Sequence, residues 1–288
     1  MEPMLQSPDS PVQAPPPGAP GPGPNEKSAR LRLWLLLTAA ALVAACLTIP
    51  YLLPLIAAGL EKARAAGRTV PPLGVAVLAQ VLQVTLLASL AAWLGALAAP
   101  LTGLDAPFFR ALASRRGAGR RLVDEVPRAL AWGTLLSLGV LALNHFAGPM
   151  LPDALRRHAP PAMAVGDRLL ATAVGASSAF YGGDVEELLL RWGLLALLAA
   201  GLAKAGLRDT AGFWLANLLA ALLFGAGHLP AANAIAGPLG GFGTLYIVAG
   251  NSLAGLVCGW LFKRRGLEAA MIAHAWGDVC LHAFPLWI

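Results

Sequence analysis

The sequence has very little charge. Only 12% of its 288 residues are Asp, Glu, Lys or Arg, whereas 57% are hydrophobic. Soluble globular domains contain about 25% charged and about 45–50% apolar residues. The mean hydropathy of +0.66 is also far above that of a soluble domain. The composition therefore excludes an ordinary soluble fold and predicts an all-α, polytopic membrane protein whose helices form a bundle inside the lipid bilayer.

Several motifs are scarce or missing. The three cysteines, Cys46, Cys258 and Cys280, lie in apolar segments without Cys-x-x-Cys spacing, which argues against a disulfide framework or a thiolate metal site. The chain has no His-Glu-x-x-His, the Gly-x-Ser-Gly context is missing around Ser177–Ser178, and no Tyr-Asp pair complements the Gly-Asp at 183–184. These absences disfavour the zinc, serine and aspartyl types of intramembrane protease.

The net charge of +6 does not indicate a nucleic-acid partner, because the cations cluster in short loops between apolar runs. Such clustering follows the positive-inside rule of membrane proteins. The apolar runs predict about seven transmembrane helices, with a range of six to eight. They cover Leu33–Leu60, Leu73–Ala99, Ala129–Met150, Arg168–Lys204, Gly212–His228, Gly243–Phe262 and Leu267–Leu286.

Three regions are predicted along the chain. Residues 1–28 are rich in proline and should form a disordered tail, because they have too few apolar residues to bury a core. Residues 29–165 should form the N-terminal transmembrane helices, with Pro50 and Pro54 bending the first span. Their longest loop is basic, and its Phe108–Phe109 pair predicts an interfacial helix. Residues 166–288 hold the remaining spans and most of the charges within apolar sequence.

The distribution of Lys and Arg residues also predicts how many times the chain crosses the membrane. If the segment 168–204 crosses once, fourteen Lys and Arg residues fall on one side and six on the other, whereas a double crossing gives nine against eleven. One crossing preserves the expected bias, so the N-terminus is predicted to be cytoplasmic. The expected location is a bacterial inner membrane. The segment is long for one helix. We therefore expect it to tilt, protrude or break near Gly182–Gly183, with Asp184 as the N-cap of the following helix.

The stretch Asp184–Arg191 places several charges inside apolar sequence. Each charge at the centre of a bilayer costs about 2.5–3.5 kcal/mol on insertion scales, so such residues often mark function. Glu187 and Arg191 are spaced for a helical ion pair, while Glu186 points about 100° away. The spacing predicts a structural Glu187–Arg191 pair and a Glu186 side chain that faces a cavity as a candidate general base. In the alternative, all three charges only tie helices together.

Two later clusters repeat the one-turn spacing. Phe224 and His228 precede Pro230, which should end or kink that span, and His274 is followed one turn later by Asp278. Asp278 could orient the imidazole, share a metal with it, contact substrate, or form a hydrogen bond that only stabilises the bundle. The remaining histidines, His145 and His282, are weaker candidates for a catalytic role.

Together these motifs resemble the CAAX-protease and bacteriocin-processing (CPBP) family of glutamic-type intramembrane proteases. The resemblance rests on Glu-Glu-x-x-x-Arg at 186–191, Phe-x-x-x-His at 224–228 and His-x-x-x-Asp at 274–278, in that order, with Gly255-x-x-x-Gly259-Trp260 between the last two. It implies that residues 166–288 are the catalytic core. It also implies an intramembrane endopeptidase in which the first glutamate and first histidine activate a water. The last pair of residues would polarise the scissile carbonyl.

Carried over to this chain, the resemblance implies catalytic roles for Glu186, His228, His274 and Asp278, and supporting roles for Glu187, Arg191 and Phe224. If a divalent metal such as zinc is needed, the four catalytic residues would be its ligands. The expected substrate is a membrane-anchored protein or peptide, either a C-terminal sorting or anchor segment or a CAAX-like peptide. Helical rise from the basic loops predicts a cavity that extends from mid-membrane toward the outer face.

Two departures from the family pattern stand out. The chain has Leu190-Arg191-Trp192 where the family usually has Phe-Arg-Gly, and the last motif ends in Asp278 where Asn is more common. An amide can donate a hydrogen bond to an oxyanion, whereas an ionised carboxylate only accepts. Asp278 must therefore be protonated, orient His274 or bind a metal.

A different class of function also fits the buried charges. A transporter, an immunity protein or a scaffold protein could use the same network as a proton relay or as a lock between helices. The glycine pair Gly255 and Gly259 indicates close helix packing in either case.

Overall fold

The computed structural model describes residues 24–115, 119–151 and 164–284. Within these ranges every regular element is helical and no strand is present, which confirms the all-α prediction. The first six helices are α1 (Pro24–Leu47), α2 (Ile49–Ala65), α3 (Leu73–Ala98), α4 (Pro107–Ala113), α5 (Gly119–Ala147) and α6 (Val165–Ala176).

A longer helical run follows, and we call it α7. It consists of the segments Ser178–Phe180, Tyr181–Glu186, Leu188–Leu195 and Ala196–Lys204, with Glu187 also helical between the second and third. The last four helices are α8 (Thr210–Gly227), α9 (Leu229–Ala236), α10 (Gly240–Arg265) and α11 (Leu267–His282).

Five stretches are long and apolar enough to cross a membrane. They are Glu26–Leu47, Leu73–Leu101, Leu122–Met150, Thr210–Ala236 and Gly240–Arg265. Two further membrane helices complete a bundle of about seven: α7, which carries the charge cluster, and α11, which has only 16 residues. The chain is therefore an integral membrane protein.

The first predicted span differs from the structure. The apolar run Leu33–Leu60 is not one bent helix, because α1 ends at Leu47 and α2 begins at Ile49. Thr48 lies between them and donates its hydroxyl to the Ala44 carbonyl at 2.8 Å, and Pro50 occupies the first turn of α2, where its missing N–H needs no partner. Helix α1 also begins at Pro24, inside the predicted tail; residues 1–23 lie outside the described residues.

The predicted break near Gly182–Gly183 is wrong in position. The helical run is interrupted at Ser177, whose hydroxyl donates to the Val174 carbonyl at 2.8 Å. At the two glycines the helix instead widens into a π-helical turn, which includes Asp184. Asp184 is therefore not an N-cap, because the helix already continues through the preceding residues.

Helix α7 packs against α3 through small residues. The buried Trp192 indole N–H donates to the Ala92 carbonyl on α3 at 3.0 Å. A Cβ at Gly95 would collide with Trp192, and one at Gly193 would lie 2.8 Å from the Ala91 side chain. Membrane helices associate through such close contacts because lipid supplies no hydrophobic drive between them. These contacts fix the position of α7 in the bundle.

Small residues also join α8 and α10. A Cβ at Gly255 would lie 3.0 Å from Ala221, and Gly259 lies against the Asn217 side chain. The close packing predicted for this glycine pair is confirmed.

The Phe108–Phe109 pair lies in the seven-residue α4, and the buried Glu268 carboxylate accepts the Phe109 backbone N–H at 2.9 Å. Helix α4 is thus docked on the start of α11.

Candidate active site

The central helix α7 departs from α-helical geometry where it carries the charges. Tyr181–Glu186 and Leu188–Leu195 are π-helical, a rare geometry that is often found at functional sites. The turn contains Gly182 and Gly183 because α11 passes directly over it. A Cβ at Gly182 would collide with the Asp278 carboxyl group, and one at Gly183 would run into Ala275 and the Met271 carbonyl. The two glycines let α7 and α11 approach, and thereby bring their polar residues together.

Glu187 and Arg191 form the ion pair that their spacing predicted. Arg191 Nη1 lies 3.0 Å from Glu187 Oε1, and the two side chains are 2% and 0% exposed. The Arg191 guanidinium also lies over the Phe224 ring, 4.8 Å from its centre. Two charges in a low-dielectric interior are stable only when paired, and the contact of Arg191 with Phe224 also links α7 to α8.

His228 caps the C-terminus of α8 and points toward Glu186. Its Nδ1 lies 2.9 Å from the Phe224 carbonyl oxygen. A carbonyl can only accept, so Nδ1 carries the hydrogen, and in the neutral ring Nε2 is left as an acceptor. Nε2 lies 3.9 Å from Glu186 Oε1, too far for a direct hydrogen bond. Two acceptors therefore face each other across a gap.

His274 has a partner that sequence spacing did not indicate. Its Nδ1 lies 2.7 Å from Glu187 Oε1, so Glu187 on α7, and not Asp278, orients this ring. The other ring nitrogen, Nε2, lies 3.8 Å from Glu186 Oε2 and 3.9 Å from Asp278 Oδ1. Glu187 thus joins Arg191 and His274 in one buried network. Glu186 lies between the two histidines.

Exposure separates the polar residues into two groups. The side chains of Glu187 and Arg191 are fully buried, whereas those of Glu186, His228, His274 and Asp278 are 17%, 34%, 12% and 17% exposed. We call the second group, which is partly exposed, the accessible edge; the first group is fully buried. The structure therefore brings together all four residues that the sequence nominated for catalysis.

The weaker candidates lie elsewhere. His145 is exposed on α5, with its ring 5.2 Å from the Phe146 ring, and the His282 ring lies 5.6 Å from the Tyr51 ring. Asp184 is partly buried on the π-helical turn, with Oδ1 unpartnered among the described residues. None of these three is among the residues that surround Glu186 at the accessible edge.

The metal hypothesis can be tested on the ligand atoms. Zinc bonds of about 2.0–2.3 Å require all ligand atoms to lie within about 4.6 Å of each other. Among the described residues, the group that approaches this limit is Glu187, Cys258 and His274, within 4.8 Å, and not the four predicted ligands. In that group Glu187 Oε1 is already bonded to His274 Nδ1 and paired with the Arg191 cation. Among the described residues, Glu187, Cys258 and His274 are thus the group that could hold an ion, and the four ligands expected from the sequence do not form such a group.

The fold and this cluster define an integral membrane protein that holds an ionisable, partly accessible site inside its helical bundle. Residues 168–280 match the family model described as type II CAAX prenyl endopeptidase Rce1-like. The resemblance to the CPBP family found in the sequence is thereby confirmed over the segment that contains every residue of the site. The match indicates a peptidase. No curated protein and no solved structure matches the chain.

Proposed function

We propose that the protein is an intramembrane endopeptidase of the glutamic type, in which Glu186 and His228 activate a water. The observation that carries the proposal is the 3.9 Å gap between Glu186 Oε1 and His228 Nε2, with the His228 ring fixed by its bond to the Phe224 carbonyl. A separation beyond hydrogen-bond length between two polar atoms suits a bridging water.

A water in this gap would donate one hydrogen to the Glu186 carboxylate and the other to His228 Nε2. Its lone pairs would then be free to attack a carbonyl carbon. Glu186 would take the proton during attack and return it to the leaving amine, as a general base and then a general acid. The structural alternative, in which Glu186 only ties helices together, does not account for its distance from both histidines.

His274 would act on the scissile carbonyl. Its Nε2 lies 3.8 Å from Glu186 Oε2, and Glu187 fixes the ring through a hydrogen bond to the other ring nitrogen, Nδ1. Because Glu187 accepts the Nδ1 hydrogen, the ring carries a hydrogen on Nε2 only as an imidazolium, and in that form it would direct the Nε2–H toward the oxygen that becomes negative in the tetrahedral intermediate. Glu187 and Arg191 are then supporting residues, because neither faces the accessible edge.

The substrate would be a membrane-anchored peptide. The matched family description names a prenyl endopeptidase, which favours a CAAX-like prenylated peptide, and a C-terminal sorting or anchor segment is the second candidate. We keep the bacterial inner membrane and a cytoplasmic N-terminus as part of this proposal. The distribution of cations along the sequence supports the orientation.

The test is cleavage by the purified full-length protein in lipid vesicles. Fluorogenic peptides would carry either a prenylated C-terminal motif or an apolar anchor segment. We expect wild-type protein to cleave one of them, and Glu186→Gln and His228→Ala each to lower kcat by about 10²–10⁴-fold with an unchanged melting temperature. Exposed Asp167→Asn on α6 serves as the matched control. Unaltered cleavage by Glu186→Gln would refute the glutamic mechanism.

The same assay separates the glutamic type from a metallopeptidase. Activity should persist after dialysis against a strong chelator and should not rise when zinc is added. If chelation abolishes cleavage and zinc restores it, the assignment of Glu186 as the base that acts on a free water is wrong. Substrate accumulation inside vesicles without cleavage would instead favour the transporter.

A further inference from the structure

A groove between α2 and α3 contains two polar side chains that the proposed peptide hydrolysis does not use. Its walls come from α1, α2, α3 and α7, and they are apolar except for Gln80 on α3 and Tyr181 on α7. Neither of these two side chains has a hydrogen-bond partner among the described residues. An amide and a phenol in apolar surroundings are costly unless something bonds to them. The groove therefore has both the apolar walls and the few polar groups that are typical of a ligand site.

The size of the groove limits what it can hold. It encloses about 290 Å³, its open mouth included, which is at the lower end of the range for ligand pockets. A transmembrane helix about 10–12 Å in diameter does not fit such a space, whereas a single hydrocarbon chain does. Helix α2 also leaves room for a chain, because none of its 17 residues is buried although Ile49, Leu52 and Ile56 line the groove.

Gln80 lies close to one boundary of the hydrocarbon layer. The apolar stretch Leu73–Leu101 has 29 residues. At a rise of 1.5 Å per residue it is about 43 Å long, against a hydrocarbon core about 30 Å thick, so an upright, centred helix extends about 6–7 Å beyond the core at each end. Gln80 is seven residues from Leu73, which places it about 4 Å inside the boundary. The ester groups of phospholipids lie at this boundary.

The lining also selects the chemistry of the ligand. No Asp, Glu, Lys or Arg is among the described residues that line the groove, so a phosphate or ammonium group would find no counter-charge there. A carbonyl oxygen, in contrast, accepts hydrogen bonds from both an amide N–H and a phenol O–H. A phospholipid acyl chain combines a hydrocarbon tail with an ester carbonyl at its head. An isoprenoid thioether has the hydrocarbon but no carbonyl of its own.

We propose that this groove binds one acyl chain of a membrane phospholipid, whose ester carbonyl accepts hydrogen bonds from Gln80 and Tyr181. The bound chain fills the space between α2 and α3 and gives α2 a packing partner. Tyr181 begins the π-helical segment that ends at Glu186, so the lipid lies against the helix that carries the proposed base. The site is separate from the accessible edge, and its existence does not depend on the proposed peptidase function.

The first test is photolabelling of the purified full-length protein in detergent micelles by a phosphatidylcholine that carries a diazirine in one acyl chain. Mass spectrometry should find the label in the peptides that contain residues 49–56 and 77–84. Unlabelled diacyl phosphatidylcholine should compete about 4–100-fold better than its dialkyl ether analogue, because the ether lacks the carbonyl and each lost hydrogen bond costs about 2–10-fold in affinity. Equal competition by the two lipids, or label spread evenly over α3, would overturn the proposal.

The second test uses a matched pair of glutamines on α3. Gln80→Leu removes the amide at nearly the same size and should reduce the preference for the diacyl lipid by about 2–10-fold, as should Tyr181→Phe. Gln83→Leu is the control, because Gln83 is exposed on the same helix and does not line the groove, and it should leave the preference unchanged. Equal effects of the two glutamine variants would contradict the assignment of Gln80.

A third measurement distinguishes the lipid from the proposed substrate. A farnesylated peptide with the diazirine in its isoprenoid chain should label the groove more weakly than the phospholipid does, and should not displace it. If the farnesyl chain labels residues 77–84 more strongly and displaces the phospholipid, the groove belongs to the substrate and the proposal of a lipid site is wrong.

Discussion

The two halves of the described chain bury different kinds of polar side chain. In residues 24–151 the fully buried polar side chains are the hydroxyls of Thr48 and Ser137, which donate to backbone carbonyls four residues earlier, at Ala44 and Gly133. In residues 164–284 they include Glu187, Arg191 and Glu268. A hydroxyl can satisfy itself locally inside a membrane helix, whereas a buried charge needs a partner from another residue. Only the second half therefore depends on exact placement of neighbouring helices.

The first half supplies that placement. On α3 an outer stripe of leucines is exposed, including Leu82, Leu86 and Leu90, while Ala88, Ala92 and Ala96 on the other side are buried. This is the reverse of a soluble helix, which buries its large residues. The alanine side of α3 packs against α7, where the Trp192 indole N–H donates to the Ala92 carbonyl. The N-terminal helices thus act as a scaffold that holds the charged helix in position.

The largest effect is expected from breaking the buried ion pair. Glu187→Ala leaves Arg191 buried without its counter-ion and releases His274, so we expect a loss of about 3–5 kcal/mol of unfolding free energy together with loss of cleavage. The measurement is unfolding in mixed detergent micelles. The matched control is Glu125→Ala, because the Arg265–Glu125 pair at 2.9 Å is about a third exposed and should contribute under about 1 kcal/mol. Equal losses in both variants would contradict the distinction between the fully buried ion pair and the partly exposed one.

A second large effect is expected at the crossing of α7 and α11. Gly182→Ala places a methyl group where the Asp278 carboxyl group lies, 3.0 Å from His274 Nε2. Overpacking of this kind costs about 1–3 kcal/mol, and we expect at least about tenfold slower cleavage because His274, for which we propose a catalytic role, and Asp278, which the sequence nominated for one, are displaced. Gly139→Ala on α5 is the control, since nothing lies within 4 Å of its Cβ position and alanine favours a helix. Normal activity of Gly182→Ala would show that α11 can shift without harm.

The sequence alone predicted the parts of the site that depend on spacing within one helix. The Glu187–Arg191 pair follows from a separation of four residues, and the different direction of Glu186 follows from the helical period. Hydropathy likewise predicted the helical membrane class, because an apolar run of about 20 residues is the length that a helix needs to cross the hydrocarbon core.

Features that depend on how helices cross could not be predicted in this way. The bond from Glu187 to His274 joins residues 87 positions apart, and only the approach of α11 over Gly182 creates it. In the sequence, Gly182–Gly183 predicted a helix break, because glycine permits either a break in a helix or the close approach of a second helix. The division between α1 and α2 at Thr48 was missed because hydropathy continues through it.

A smaller effect is expected at the joint between the two halves. Trp192→Phe removes the indole N–H that donates to the Ala92 carbonyl, which should lower the unfolding free energy by about 0.5–1.5 kcal/mol and leave the charges of the site unchanged. The comparison is Trp34→Phe within the first half, where the indole bonds to the Ser89 carbonyl at 3.0 Å in a half-buried position. A larger loss of activity for Trp192→Phe than for Trp34→Phe would show that the scaffold contact positions Glu186. Equal activities would limit its role to stability.

The smallest effect is expected on the outer face of α3. Leu86 is 70% exposed, and lipid is as apolar as a leucine side chain, so Leu86→Ala should change the unfolding free energy by less than about 0.5 kcal/mol. The same truncation in a soluble protein's core costs about 2–5 kcal/mol because it leaves a cavity, whereas lipid chains fill the space left here. A loss above about 1 kcal/mol that depends on protein concentration would mean that the leucine stripe contacts another copy of the chain, and the scaffold half would then have a second packing face.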